Sequence, residues 1–316
     1  MPLYTQVPIN DPNLHDQKEL TSINKEQYEN YFLPHPSNTL ANIVRVILFF
    51  VTLGPLRMLL SIICVLILYG EMIILNHVFK SHYKSSKEYK NWAQKMLYPV
   101  VRLLLFSIGI VHIKKTGEIK SNTRTIIINH LTLFDILVAV TLFDSSYLAM
   151  ASLKHIAFIR EANDIFNMVF VDRSKAHQGT TETIRQIQDD STSSPIVIFP
   201  EGKVTNGDIL LGFRTGGFIS DAPLQPMTFR YNHWFCPRCL STIAWVHTSD
   251  LFYIWQVYTI PFMTLEINVL PQIRFEESIK TPAEKAKIVE LTMANSLGCL
   301  AVKQTNKEYF KEHISS

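Results

Sequence analysis

Apolar and polar residues fall in blocks along this chain, and the blocks predict its architecture. Residues 43–79 form a long apolar run, IVRVILFFVTLGPLRMLLSIICVLILYGEMIILNHVF, interrupted by Arg45, Arg57 and Glu71. Gly54-Pro55 breaks it, because proline removes a backbone donor and clashes with the preceding turn. The piece before Gly54 is too short to span a bilayer, while the piece from Met58 onward reaches the roughly 20 residues a span needs. The pattern predicts a helical hairpin that dips into one leaflet with both ends on one side. An anchor of one or two spans and a buried helix pair are the alternatives. Charge in hydrocarbon is costly, so Arg45, Arg57 and Glu71 are expected to snorkel or pair at the interface. A second apolar stretch, residues 98–113, is expected along that interface or against the rest of the protein.

Beyond the hairpin the pattern changes. Short β-branched runs at 111–114, 125–129, 147–151, 169–171, 195–199, 223–231 and 266–270 read as strands, with helical segments between them, including 134–143, 180–189 and 282–296. This alternation predicts an α/β fold, a mainly parallel sheet flanked by helices. Thr281, Pro282 and Glu284 make a strong start for the last helix. The domain plan is a disordered polar tail at 1–40, a membrane hairpin or anchor at 41–80, amphipathic or interfacial linker helices at 81–110, a catalytic domain at 111–300 and a polar tail at 301–316. Proline-rich, polar composition motivates the disordered first segment.

Composition adds limits. The chain has 316 residues and a net charge of +3, which gives no sign of nucleic-acid binding. Its four cysteines form no disulfide framework, and no N-x-S/T sequon occurs. Lysines on both sides of the apolar run (Lys18 and Lys25; Lys80, Lys84, Lys87, Lys90 and Lys95) suit a hairpin with both ends in the cytosol.

The chemistry-bearing stretches sit at predicted strand ends, where ligands meet a parallel sheet. IIINHLTLFD carries His130 and, five residues on, Asp135. A carboxylate there could fix the imidazole tautomer and leave the other ring nitrogen free to take a proton. The alternative is that Thr132 and Asp135, at capping-box spacing, serve only a helix N-terminus. FPEGKVTNG places Phe199, Pro200, Glu201, Gly202 and Lys203 after a buried strand. It is not a P-loop, and an ordinary turn is the plain alternative. VFVDRS offers Arg173, suited to bidentate phosphate binding or to a surface pair with Asp172. PLQPMTFRY, with Pro226, reads as strand punctuation when taken alone. HWFCPRC has His233, Cys236 and Cys239 at metal-like spacing, with His247 nearby. A loop with reduced thiols is the expectation, and no metal site is assigned. Lys154 is expected to be solvated.

In order, these stretches resemble the glycerophospholipid acyltransferase family, and within it the lysophosphatidylcholine acyltransferases. TLGPLR, FRTGGF and STIAWVHTS extend the likeness over residues 40–296. Lys203 stands where the family usually has threonine, Arg214 where it usually has lysine, and no EF-hand sequence is present. The resemblance implies a glycerolipid acyltransferase-like fold and acyl transfer from acyl-CoA, a co-substrate, to the free hydroxyl of a lysophospholipid, most simply lysophosphatidylcholine. A lysophosphatidate or other glycerolipid acyltransferase and an inactive membrane scaffold are the alternatives. It implies His130 as general base, Asp135 as its partner, and Arg173, Glu201, Gly202, Lys203, Phe199, Pro200 and Pro226 in substrate binding. No tightly bound cofactor is implied. The implied setting is a phospholipid membrane, the endoplasmic reticulum with the catalytic domain facing the cytosol, or a lipid droplet. No G-x-S-x-G elbow is present, and no cysteine lies in these motifs, so no covalent acyl-enzyme is expected.

Overall fold

The computed structural model describes residues 4–7, 16–35, 38–79, 87–142, 144–171, 178–190, 193–246, 249–276, 278–279 and 281–308. Its strands are β1 (Tyr4–Val7), β2 (Ile110–Thr116), β3 (Thr125–Ile128), β4 (Ser146–Met150), β5 (Met168–Val171), β6 (Ile196–Ile198), β7 (Ile209–Gly212), β8 (Leu224–Trp234), β9 (Phe262–Val269) and β10 (Leu300–Thr305). The helices are α1 (Lys25–Asn30), α2 (Thr39–Val51), α3 (Gly54–Ile74), α4 (Lys87–Ser107), α5 (Phe134–Leu142), α6 (Ala157–Phe166), α7 (Gln178–Asp189), α8 (Asp250–Val257) and α9 (Pro282–Leu297).

The main sheet runs β2-β9-β8-β3-β6-β4-β5, with β1 added to β8. All pairings are parallel except β8 with β9 and β8 with β1. The expected mainly parallel α/β sheet is therefore present. β3 and β6 are buried along their whole length, as strands covered by helices on both faces must be. Thr281 and Glu284 form the anticipated capping box of α9, and Gly298 ends that helix at φ 65°.

The apolar run folds as two helices, α2 and α3. The break falls at Thr52-Leu53, and Pro55 occupies the tolerated first turn of α3. Gly54 is required at this corner, since a Cβ there would lie 2.3 Å from the Phe49 ring and 2.5 Å from its carbonyl oxygen. One stripe of α3, Ser61, Cys64, Leu68 and Met72, is buried, a spacing of three and four residues that marks a helix face. That stripe packs on α4 and α6. α4 buries Leu97, Val101, Leu104 and Leu105, so the 98–113 stretch lies against the domain. Helix Gly54–Phe79, which includes a terminal π-turn, is long and apolar enough to cross a membrane by length and composition.

Two hairpin charges differ from expectation. Arg57 does not reach outward; it donates to the carbonyls of Ser107 at 2.9 Å, Tyr258 at 3.4 Å and Ile260 at 3.0 Å. Arg45 likewise donates to the carbonyls of Leu240 and Cys239. Backbone carbonyls outside the hairpin thus take most of these donors, although Arg57 Nη2 is buried without an acceptor, and the arginines fasten the hairpin to the rest of the fold.

The segments expected as tails also contribute structure. Within 1–40, α1 carries a complete Asn24–Gln27 capping box, and Tyr28 and Phe32 pack on Ile209, Leu211 and Val302. At the other end β10 pairs in parallel with β7. The sheet domain therefore draws on residues on both sides of 111–300. Apolar side chains at Ile23, Tyr28 and Phe32 supply the reason, because they bury against the small β7-β10 sheet instead of remaining in water.

Candidate active site

β3 ends at Ile128, and its end is clamped. The Asn129 amide donates to the Phe229 carbonyl at 3.0 Å, and the Phe229 N–H donates back to Asn129 Oδ1 at 2.8 Å. This holds β3 to β8 and delivers His130 to the strand's C-terminal end. The next residues turn directly into α5, whose first turn contains Asp135, fully buried.

Asp135 gathers four donors. Oδ2 lies 2.9 Å from His130 Nδ1 and accepts the amides of Leu131 at 2.7 Å and Thr132 at 2.9 Å. Oδ1 accepts the hydroxyl of Tyr231 at 2.6 Å. Helix capping and histidine orientation, which the sequence left as alternatives, are thus performed by one carboxylate. With Asp135 ionised, His130 Nδ1 carries the proton and donates it to the carboxylate, so Nε2 has its lone pair available. The His130 side chain keeps a fifth of its surface open to solvent. Phe199 stacks obliquely beside it, ring centroids 4.6 Å apart.

Tyr231 closes the PLQPMTFRY stretch, but the sequence did not reveal its contact with Asp135. Burial and the neighbouring Asp135 charge push its hydroxyl well above the usual phenol range, so it remains a donor. Tyr231→Phe is expected to lower kcat by roughly tenfold with KM nearly unchanged, the scale of one hydrogen bond to a charged group. Steady-state kinetics on the folded variant checks this.

Glu201 does not face outward as a substrate contact. It is buried, and its Oε1 accepts the His130 N–H at 2.9 Å while Oε2 accepts the Leu211 N–H at 3.1 Å. It brackets the His130 loop to β7. Behind it, Gly202 sits at φ 64°, and a Cβ there would lie 2.6 Å from Asn306 Nδ2 and 3.0 Å from Arg214 Nε. Arg214 donates through Nε to Asn306 at 2.8 Å and through its backbone N–H to the Pro200 carbonyl at 3.0 Å. Pro200 and Gly202 thus shape a turn fixed by Arg214. Lys203 points at the N-terminal segment, its ammonium 5.5 Å from the Phe32 ring centroid. Pro226 is buried in β8 opposite Ile127, within the sheet and short of its C-terminal end. Arg173 lies outside the described residues, as does His247.

Burial raises the Glu201 carboxyl to about 8; its two amide bonds oppose the rise, and Asp135 adds to it. Glu290 of α9, which accepts the Phe213 N–H at 3.1 Å, is raised by burial to about 9, opposed by that amide and reinforced by Glu201. Both acids hold their protons in the fold at pH values where the unfolded chain has released them. The stability this contributes is whole below the ordinary carboxylate range and is lost as pH rises through about 8 to 9. The unfolding temperature is expected to fall from about pH 5 to about pH 9, and Glu290→Gln to flatten that fall. Thermal melts across this pH range measure it.

Among the described residues no cluster of His, Cys, Asp or Glu is placed to hold a metal ion. His233 and Cys236 are buried and Cys239 is exposed. Lys154 lies 6.0 Å from the Phe170 ring centroid. A polar depression lined by Arg124, Arg185, Asp189 and Ser220 sits at the opposite end of β3 from His130.

Residues 111–230 match the family model described as Acyltransferase. The chain is 29% identical over 265 residues to lysophosphatidylcholine acyltransferase 1 from Homo sapiens, covering 80% of this chain and 48% of that protein. It is 26% identical over 247 residues to the lysophospholipid acyltransferase LPEAT1 from Arabidopsis thaliana, covering 62% of this chain and 61% of that one. The chain spans about half the length of the first curated relatives it matches. Its fold is similar to the crystal structure of the 1-acyl-sn-glycerophosphate acyltransferase PlsC from Thermotoga maritima, with a TM-score of 0.51 and 14% identity over 74% of this chain and 96% of that one.

Proposed function

We propose, from the match of residues 111–230 to the Acyltransferase family model, that this chain is a membrane-bound, acyl-CoA-dependent lysophospholipid O-acyltransferase, with lysophosphatidylcholine as acceptor. The observation that carries the reading is the His130–Asp135 pair at the end of β3, with Nδ1 engaged and Nε2 free to act as a base. The relatives named for lysophosphatidylcholine and lysophospholipid acyl transfer support the substrate class.

In this mechanism Nε2 removes the proton of the acceptor hydroxyl as that oxygen attacks the thioester carbonyl. The imidazolium that forms is stabilised by Asp135, itself held by Tyr231 and two backbone amides. Collapse of the tetrahedral intermediate breaks the carbon–sulfur bond, and CoA leaves as a thiolate that accepts a proton. An ester forms and free CoA departs. No covalent acyl-enzyme intervenes, because the thioester already has a competent leaving group. Arg173 binds the acceptor phosphate in this reading. The apolar helix Gly54–Phe79 places the enzyme where its substrates reside, avoiding extraction of acyl chains at about 0.8 kcal/mol per CH₂.

The test is purified protein in lipid vesicles with acyl-CoA and a panel of lysophospholipid head groups, followed by release of free CoA. Turnover with lysophosphatidylcholine above the other acceptors supports the proposal. Turnover confined to lysophosphatidate would replace the acceptor, and no turnover with any acceptor would overturn the activity.

A further inference from the structure

We propose that α8 is a second bilayer-contacting element, which seats the His130 loop at the lipid surface. This rests on the membrane-bound reading above and extends it to a surface outside the apolar hairpin.

α8 is capped by Ser249, whose hydroxyl accepts the Phe252 N–H. Its two faces differ sharply. Inward, Tyr253, Gln256 and Val257 are buried. The Tyr253 hydroxyl lies 2.6 Å from Thr132 Oγ1, and its ring stacks on that of Trp245, whose backbone N–H donates to the Leu131 carbonyl at 2.8 Å. The inward face therefore holds Thr132 directly and, through Trp245, reaches Leu131, the two residues that follow His130. Outward, Leu251 is 82% exposed, the highest value among the described large apolar side chains, and Phe252 and Ile254 are each 38% exposed. Leu133, in the His130 loop itself, is exposed as well.

The outward face is continuous with the apolar hairpin. Trp255 of α8 lies 5.4 Å from Phe252 and 6.1 Å from Phe49 of α2, ring centroid to centroid. Thr52 and Arg57, at the hairpin corner, donate to the carbonyl of Tyr258 immediately after α8. At this corner Phe50, Val51, Leu53 and Leu56 are all exposed. A bilayer is the occupant that fits, since one flat apolar medium covers both the corner and α8 without interruption. Phe252 on this outward face, with Trp255 beside it, also suits the membrane–water interface. The contact has a catalytic consequence. The acceptor hydroxyl sits near the head groups, and a helix that touches both lipid and the His130 loop fixes the height of the base above the leaflet.

The experiment places an environment-sensitive fluorophore at single cysteines in protein reconstituted into phosphatidylcholine vesicles. Cys239, the exposed thiol, is first changed by Cys239→Ser; Cys64, Cys236 and Cys299 are buried. Leu251→Cys reports on α8 and Leu66→Cys, on the exposed side of α3, reports on the hairpin. Blue-shifted emission quenched by spin-labelled lipid at both positions supports the proposal. The shift and quenching at 66 with neither at 251 overturns the role of α8 while leaving the hairpin in the membrane. Neither signal at either position overturns the membrane-bound reading itself. In parallel, Leu251→Glu is expected to raise KM for a long-chain acceptor in vesicles roughly tenfold, the scale of 1.4 kcal/mol. Turnover of a short-chain acceptor dissolved in water should stay unchanged, and an equal loss with both acceptors would overturn the proposal.

Discussion

His130→Ala is expected to reduce acyl transfer by roughly 10²–10⁴-fold, the range general-base catalysis supplies. In the proposed mechanism the loss falls on kcat, because His130 there acts on the proton that moves during attack, and substrate binding relies on other groups. The fold should survive. The His130 backbone N–H, not its ring, bonds Glu201, and Asp135 retains the amides of Leu131 and Thr132 and the Tyr231 hydroxyl. Circular dichroism and vesicle binding should therefore match the parent protein, while CoA release collapses. Substantial turnover in the variant would remove His130 from its assigned role.

The second large effect is that of Asp135→Asn. Asparagine can place its carbonyl oxygen where Oδ2 stands, still accepting from Leu131, Thr132 and His130. Its NH₂ can then face the Tyr231 oxygen, which is able to accept. The arrangement persists but the negative charge is gone, and with it the stabilisation that the proposed mechanism gives the imidazolium in the transition state. A fall in kcat on the order of 10²–10⁴ with near-parental KM is expected. Combining this change with His130→Ala should add little further loss, as residues acting as one unit behave. A double-mutant cycle on kcat/KM measures it, and fully additive losses would show that the two side chains act separately.

Much of this site was readable from local pattern. The run TIII before Asn129-His130 announced a buried strand ending on a polar pair, and all seven anticipated strands form within a few residues of their expected bounds. Tyr231 escaped because its meaning depends on an aspartate 96 positions away. The alternation of β8 was the available signal, since Met227, Phe229 and Tyr231 share one face of that strand, packed into the main core. Glu201 was found, but its place in the fold was not. Sequence places a carboxylate at a strand end, and only the neighbouring amides of His130 and Leu211 reveal that both oxygens are taken. β7 and β10 were missed because each is short and finds its partner about ninety residues away, a pairing no local window records. The α1 segment was hidden among prolines and polar residues, although its capping box lay in plain view.

The contacts of Arg57 and Arg45 with sheet-domain carbonyls bear on how this chain could be re-engineered. Grafting an unrelated anchor onto residues 81–316 would deliver the domain to a membrane yet leave the carbonyls of Leu240, Tyr258 and Ile260 without their guanidinium partners. Tethering and correct posture are therefore distinct achievements, and a chimera of this kind would be recruited without being aligned.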